Sequence, residues 1–313
     1  MVHALPDLGS AVEITLIRHG QSVSNVTGHW QGHGDSPLSE HGVEQAQALA
    51  ERLSGASFDR FLSSDLSRAA DTARAVGSRI GMEPELIARW REIDVGDWEG
   101  LTREEVKETF PEQIDALKQG KPIKIGGAES WLDLAQRVNG AYQDLRAELE
   151  PGQRAAVFAH GGVIASLVGV LFGVGRDRRR LGNVANTAMT TIRYDGDRPT
   201  LLRYNDATHV GPLPSWGQER LEQGATVVAL VPEAYAYDAP MKGNAEADLG
   251  GHLSTLAAAH PGERIGLVVA PAPWSTFATS ILGNQVALGA PLGPTHVVVT
   301  EDGHALADLN VGH

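Results

Sequence analysis

The stretch Glu13-Ile-Thr-Leu-Ile-Arg-His-Gly20 decides the fold. Ile14 to Ile17 is an apolar run, β-branched at Ile14, Thr15 and Ile17, and Arg18-His19-Gly20 cuts it short. Such a run is a buried strand that delivers two charged or titratable side chains into a loop at its end. A second stretch repeats the pattern: Ala155-Ala-Val-Phe-Ala159 ends in His160-Gly161-Gly162.

Between these two strands the periodicity predicts helices over 39–53, 66–80 and 130–149, and a strand over 58–63. In the first helix Val43, Ala46, Leu49, Ala50 and Leu53 keep helical spacing. Another helix follows over about 163–172, then strands over 189–194 and 201–205. Short apolar strands alternating with amphipathic helices predict an α/β fold, a three-layer α/β/α sandwich with a mostly parallel sheet.

Composition narrows the function. The 313 residues carry 26 basic and 39 acidic groups, a net charge of −13, which argues against nucleic acid or an anionic membrane as partner. There are no cysteines, so disulfides, thiolate catalysis and cysteine-ligated clusters are excluded. Residues 155–175 contain no charged residue and reach membrane-spanning length, but His160-Gly161-Gly162 interrupts them, and a strand plus a buried helix accounts for the same run. The amino terminus lacks the basic-then-apolar pattern of a secretory signal, and the expected compartment is the cytoplasm.

In open α/β sheets ligands bind beyond the carboxyl ends of the strands. His19 and His160 both sit at such ends, so their imidazoles are expected to converge. Asp65-Leu-Ser-Arg68-Ala-Ala-Asp-Thr-Ala73 opens a helix, and Arg91-Glu-Ile-Asp-Val-Gly-Asp-Trp-Glu-Gly100 is an acidic loop. Arg18 and Arg68 each present a planar fork to a tetrahedral oxyanion. Backbone N–H groups at helix amino ends, Gly161 among them, add donors. The ligand this set suits is a phosphoryl group. A neutral imidazole is a competent nucleophile at pH 7, and a nearby carboxyl would protonate the leaving alkoxide. Glu92 is the first candidate for that acid. Asp94, Asp97 and Glu99 share its loop, and Asp94 is second because two residues on, an extended chain faces the same side. No His-x-x-x-His pair lies on a predicted helix, so neither a metal nor another cofactor is expected.

Taken together, Arg18-His19-Gly20, Ser67-Arg68-Ala69, Arg91-Glu92 with Gly96-Asp-Trp-Glu-Gly100, and His160-Gly-Gly162 resemble the histidine phosphatase superfamily, in its phosphoglycerate-mutase-like branch. Ser22, Asn25, Gln31-Gly32, Leu38-Ser-Glu-His-Gly42, Gly126-Gly-Ala-Glu-Ser130 and Asn205-Asp-Ala-Thr-His209 add to the likeness, which spans about 13–209. The resemblance implies that His19 becomes phosphorylated. It implies that Arg18, Arg68 and His160 hold the phosphoryl oxygens, that Glu92 is the proton donor, and that Asn25 and Gln31 line the phosphate pocket. The expected substrate is a small phosphorylated metabolite, its identity set by loops that the sequence does not decode, and self-association is left open.

Two other functions compete with hydrolysis. A phosphoglycerate-type mutase usually carries a longer basic insertion after the acid loop, whereas Leu101 to Ile125 is short, with five basic residues diluted by five acidic ones. A regulatory protein with a vestigial site would not need the complete motif set.

The texture changes after about residue 206. Residues 207–313 hold 3 basic and 10 acidic groups, about half the net charge in a third of the length. A boundary is expected near 207–224, dividing a catalytic domain over 1–210 from a smaller α/β domain over 225–313. That tail reads as a degenerate partial repeat of the first part. Pro151-Gly-Gln-Arg154 matches Pro261-Gly-Glu-Arg264 at an offset of 110, Ile14 can be laid on Val227, and Asn186–Gly196 on Gly293–Gly303. In the repeat His19 and His160 become Pro232 and Ala270, so the tail is expected to be non-catalytic.

Overall fold

The computed structural model describes residues 8–173, 183–211, 215–223, 225–231, 241–245, 249–269, 274, 276–277, 287–288, 295–300, 303–306 and 308–309. The chain forms two compact units, residues 1–170 and 171–313. Among the described residues no helix is long and apolar enough to cross a membrane. The uncharged run after Ala155 is divided between a strand and a buried helix, as expected.

In the first unit β1 (Val12–Arg18) leads through α1 (Val23–Thr27) and α2 (Glu40–Arg52) to β2 (Arg60–Ser63). Then come α3 (Ser67–Ile80), β3 (Glu85–Leu86), α4 (Arg103–Thr109), α5 (Pro111–Lys118) and the short antiparallel pair β4 (Lys124–Ile125) and β5 (Glu129–Ser130). Next are α6 (Trp131–Glu148), β6 (Arg154–Ala159) and α7 (Gly161–Phe172). The elements expected over 13–172 are all present, with ends within about two residues. The sheet order is β1-β6-β2-β3 and every pairing is parallel. Parallel strands are covered on both faces and are therefore apolar throughout. Ile14, Leu16 and Ile17 of β1 and Ala155 to Ala159 of β6 are accordingly fully buried.

The helix starts are written in local chemistry. Ser39 caps α2 by accepting the Gly42 N–H, and Ser130 closes a capping box with Asp133 on α6. α4 and α5 were not anticipated, although Thr102-Arg-Glu-Glu105 is a capping box and Pro111 stands in the first turn of α5.

In the second unit β7 (Met189–Asp195) and β8 (Arg198–Asp206) form an antiparallel hairpin. Beyond it are α8 (Ser215–Glu222), β9 (Thr226–Val231), β10 (Met241–Ala245), α9 (Leu249–Ala259), β11 (Arg264–Val269), β12 (Ala287–Leu288), β13 (Thr295–Thr300) and β14 (Gly303–Leu306). β12 pairs with β8 in parallel, and Tyr204 of β8 also bridges to Leu309. A five-stranded sheet has the order β10-β11-β9-β13-β14, parallel through β10, β11 and β9 and antiparallel at both pairings of β13.

The trio β10-β11-β9 repeats the arrangement of β2-β6-β1. In both, all strands are parallel and the strand latest in the chain lies in the middle. The register also tests the sequence alignment. Arg154 of β6 faces Glu13, and Arg264 of β11 faces Val227. With the 110-residue offset, Val227 therefore corresponds to Glu13, not to Ile14, a shift of one residue. Pro232, Ala270 and Gly293 lie outside the described residues.

Candidate active site

The site forms where β1, β6 and β2 end. Arg18 pairs with Ala159, and Ser63 with Phe158, so His19, His160 and Ser64 follow side by side at one sheet edge. The ladder continues one step further: His19 N–H donates to Ala159 O at 3.0 Å and Ser64 N–H to Phe158 O at 2.8 Å. The expected convergence of the two imidazoles is observed. Their ring centroids are 5.1 Å apart, edge to face at 60°.

Both rings are buried, His19 at 3% exposure and His160 at 0%. Burial, then the charges of Arg18 and Arg68, holds the His19 pKa well below the ordinary histidine value. His160 is depressed in the same way, by burial first and then by Arg68, His19 and Arg18. Both are neutral at pH 7. The His19 Nδ1 lies 2.6 Å from Gly20 O. A carbonyl can only accept, so the proton sits on Nδ1 and the lone pair on Nε2. Across the pocket, His160 Nε2 is 2.9 Å from Ser64 Oγ, while His160 Nδ1 is buried with no hydrogen-bond partner among the described residues.

Arg68 occupies the first turn of α3 with 1% exposure. Its Nη1 donates to Gly34 O at 2.8 Å and its Nη2 to Gly32 O at 3.0 Å. These bonds clamp the 32–34 loop and leave Nε buried without a partner among the described residues. Burial lowers the Arg68 pKa to about 10, against the raising effect of Glu92, and the group stays a cation at neutral pH. Arg18 is lowered by burial too, with Glu92 opposing. Asp35 Oδ1 accepts the Ser67 N–H at 2.7 Å and so occupies one donor at the start of α3.

Glu92 is brought to this cluster by a loop anchored on both sides by buried tryptophans, Trp90 and Trp98. Its Oε2 accepts the Gly162 N–H at 2.9 Å and its Oε1 the Ile93 N–H at 2.9 Å. A Cβ on residue 162 would run into Glu92 Oε1, so any larger residue there displaces the carboxyl from its present position. Gly161 packs against the Arg18 side chain, where a Cβ would stand 3.5 Å from Nε. Ile93 and Val95 point into the core, so residues 92 and 94 share the other side as alternation predicts. Asp94 nevertheless folds back, its Oδ1 accepting the Gly96 N–H at 3.0 Å, with Oδ2 3.9 Å from His33 Nδ1.

Asn25 and Gln31 are placed by Ser22. Asn25 is exposed, and its Oδ1 accepts the Ser22 N–H in a capping box. Gln31 Oε1 accepts the Ser22 hydroxyl proton at 2.8 Å. In the second unit His209 Nε2 lies 2.9 Å from Thr187 Oγ1, and Asn205 is buried with φ +53°. Two side chains bonded to these groups were missed in the sequence: Ser64 beside His160, and Arg137, whose guanidinium reaches the backbone around Glu92. The Ser63-Ser64 pair at a strand end was the available signal for the first. Among the described residues no cluster of three metal-ligating side chains occurs.

Residues 14–207 match the histidine phosphatase superfamily, branch 1. The chain is 35% identical over 206 residues to phosphoglycerate mutase-like protein 4 of Arabidopsis thaliana, covering 63% of this chain and 86% of that one. It is 35% identical over 195 residues to glucosyl-3-phosphoglycerate phosphatase of Mycolicibacterium vanbaalenii, covering 59% of this chain and 87% of the relative. Among solved structures, a mycobacterial glucosyl-3-phosphoglycerate phosphatase in complex with VO3 superposes with a TM-score of 0.54 at 34% identity, over 60% of this chain and 96% of that one. Paired histidines at the strand ends, buried guanidiniums around them and a match over most of the first 207 residues lead to one assignment: the chain belongs to the histidine phosphatase superfamily.

Proposed function

We propose that the protein is a phosphomonoester hydrolase working through a phosphohistidine on His19. The observation that carries this reading is the His19–His160 pair, neutral and buried between the guanidinium charges of Arg18 and Arg68. His19 Nε2 attacks phosphorus, the bond to the ester oxygen breaks, and the leaving alkoxide takes a proton from Glu92. Water then attacks the phosphohistidine, gives its proton back to Glu92, and phosphate leaves with His19 restored. Arg18, the Arg68 Nε–H, the His160 Nδ1–H and the Gly161 N–H stabilise the charge on the three transferring oxygens. A loose phosphoryl transition state needs little else than such positioning.

Two features support Glu92 over Asp94 as the acid: its contact with the amino end of α7, next to His160, and the turn bond that occupies Asp94. The catalytic domain is read as 1–210. The tail is a degenerate duplicate without the nucleophile, a reading supported by the repeated strand trio.

His19→Ala should abolish turnover of an aryl phosphate while the protein stays folded. Wild type quenched during turnover should yield an acid-labile, base-stable phosphoryl adduct. Retained turnover in the variant, or a base-labile adduct, would overturn the assignment. The substrate is a small phosphorylated metabolite, and glucosyl-3-phosphoglycerate is the first to assay, given the relatives. The mutase-like relative keeps a second reading in view: isomerisation of 3-phosphoglycerate in the presence of a bisphosphate primer would establish it. Short α4 and α5, where a mutase carries its longer basic segment, favour hydrolysis.

A further inference from the structure

Arg137 of α6 lies outside the catalytic cluster, yet its guanidinium makes five hydrogen bonds, three of which converge on the backbone carbonyls of one stretch of chain. Its Nη1 donates to Arg89 O at 3.0 Å and to Arg91 O at 2.9 Å. Its Nη2 donates to Glu92 O at 3.1 Å and to Glu129 Oε2 at 2.8 Å, and its Nε to Glu129 Oε1 at 2.9 Å. Glu129 extends the clamp, because its Oε2 also accepts the Asp94 N–H at 3.0 Å. From the opposite side, His33 Nε2 is 3.0 Å from the same Glu92 carbonyl. The main chain on both sides of Glu92 is therefore gripped by one guanidinium and its carboxylate partner.

We infer that Arg137 is a positioning residue for the proton donor: it fixes the backbone of Glu92 so that the carboxyl stays at the amino end of α7, in line with the leaving oxygen. This rests on the reading of Glu92 as the acid. A guanidinium is required, since an ammonium is a point donor that cannot span three carbonyls and a carboxylate in one plane. The pair is partly buried, with Arg137 at 22% and Glu129 at 14% exposure, so the clamp is not a loose surface ion pair.

The test exploits the leaving group. An alkoxide needs a proton to depart and a nitrophenolate does not, so loss of the acid should be felt on an alkyl phosphate and barely on p-nitrophenyl phosphate. Glu92→Gln is the reference, with a loss of about 10²–10⁴ in kcat on the alkyl ester. Arg137→Lys should show the same selectivity at about 10–10²-fold, with inhibition by inorganic phosphate unchanged. An equal loss on both esters, or none on either, would reduce Arg137 to a stabilising residue and overturn the inference. Should the lysine variant fail to fold, Arg137→Gln combined with Glu129→Gln leaves neither charge unpaired and is read in the same way. If Glu92→Gln itself shows no selectivity, it is the assignment of the acid that fails, a separate result.

Discussion

Ser64 Oγ stands 2.9 Å from His160 Nε2, both side chains being fully buried. The same oxygen accepts the Leu66 N–H at 3.3 Å, so its own proton is available for the imidazole. Donation to Nε2 fixes the His160 tautomer with its hydrogen on Nδ1, the atom without a partner among the described residues. Ser64→Ala should then leave a buried ring nitrogen unsatisfied, costing about 1–3 kcal/mol. The expected outcome is a fall in kcat/KM on the order of tenfold or more, with a change in the imidazole nitrogen shifts seen by NMR. Unchanged shifts would show that Ser64 does not set the tautomer.

Gly162→Ala tests the contact that seats the acid. The added methyl collides with Glu92 Oε1 and has only the carboxyl to displace. Turnover of alkyl phosphates should fall by about 10²-fold, the scale of a catalytic group moved by about 1 Å. Affinity for phosphate, which the proposed mechanism assigns to Arg18 and Arg68, should stay near wild type. Equal losses in turnover and phosphate affinity would mean that the loop, not the carboxyl alone, had moved.

Acid should destabilise the protein through its two site histidines. Their folded pKa values lie well below 6.5 because burial disfavours the charged ring. Below about pH 6.5 the unfolded chain binds protons that the folded one refuses, so stability falls with pH until the folded values are reached. The slope is about 1.4 kcal/mol per pH unit for each histidine. Denaturant midpoints between pH 7 and 5 should therefore drop less steeply in His160→Gln than in wild type. Parallel curves would contradict the buried, neutral state of His160.

Truncation after residue 210 removes two partners of β8: the strand β12 and the bridge from Tyr204 to Leu309. The bridge alone comprises two backbone hydrogen bonds, at 3.2 and 3.0 Å. At about 1 kcal/mol each, they correspond to roughly 4–8 °C of melting temperature. The shortened protein should melt earlier and self-associate along the uncovered strand, yet still form the phosphohistidine. A well-folded truncation that forms no adduct would show that the tail completes the site.

Much of this was legible in the sequence because parallel strands are apolar runs and their ends carry chemistry. Arg18-His19 and His160 were locatable from two such runs, and the register of β1 on β6 brings them together. What distinguishes Glu92 from Asp94 was less legible, because both face one side of an extended segment, and the bond from Gly162 N–H to Glu92 and the turn bond from Gly96 N–H to Asp94 appear only in the folded chain. Ser64 and Arg137 were missed for a related reason. Each acts on a group 96 or 45 residues away in the chain, and no local pattern encodes such a partner. Laying Ile14 on Val227 differs by one residue from the strand pairing because the two runs match about equally well in either register, and only the hydrogen-bonded pairing places Arg154 opposite Glu13 and Arg264 opposite Val227.

The loop clamp on Arg68 has a consequence for turnover. A guanidinium fastened at both Nη atoms to Gly34 O and Gly32 O cannot swing aside once the ester has gone. On the proposed mechanism, inorganic phosphate would meet the same rigid receptor as the group being transferred. The enzyme should therefore be throttled by its own product, and its flux in a cell set as much by the free phosphate pool as by the supply of ester.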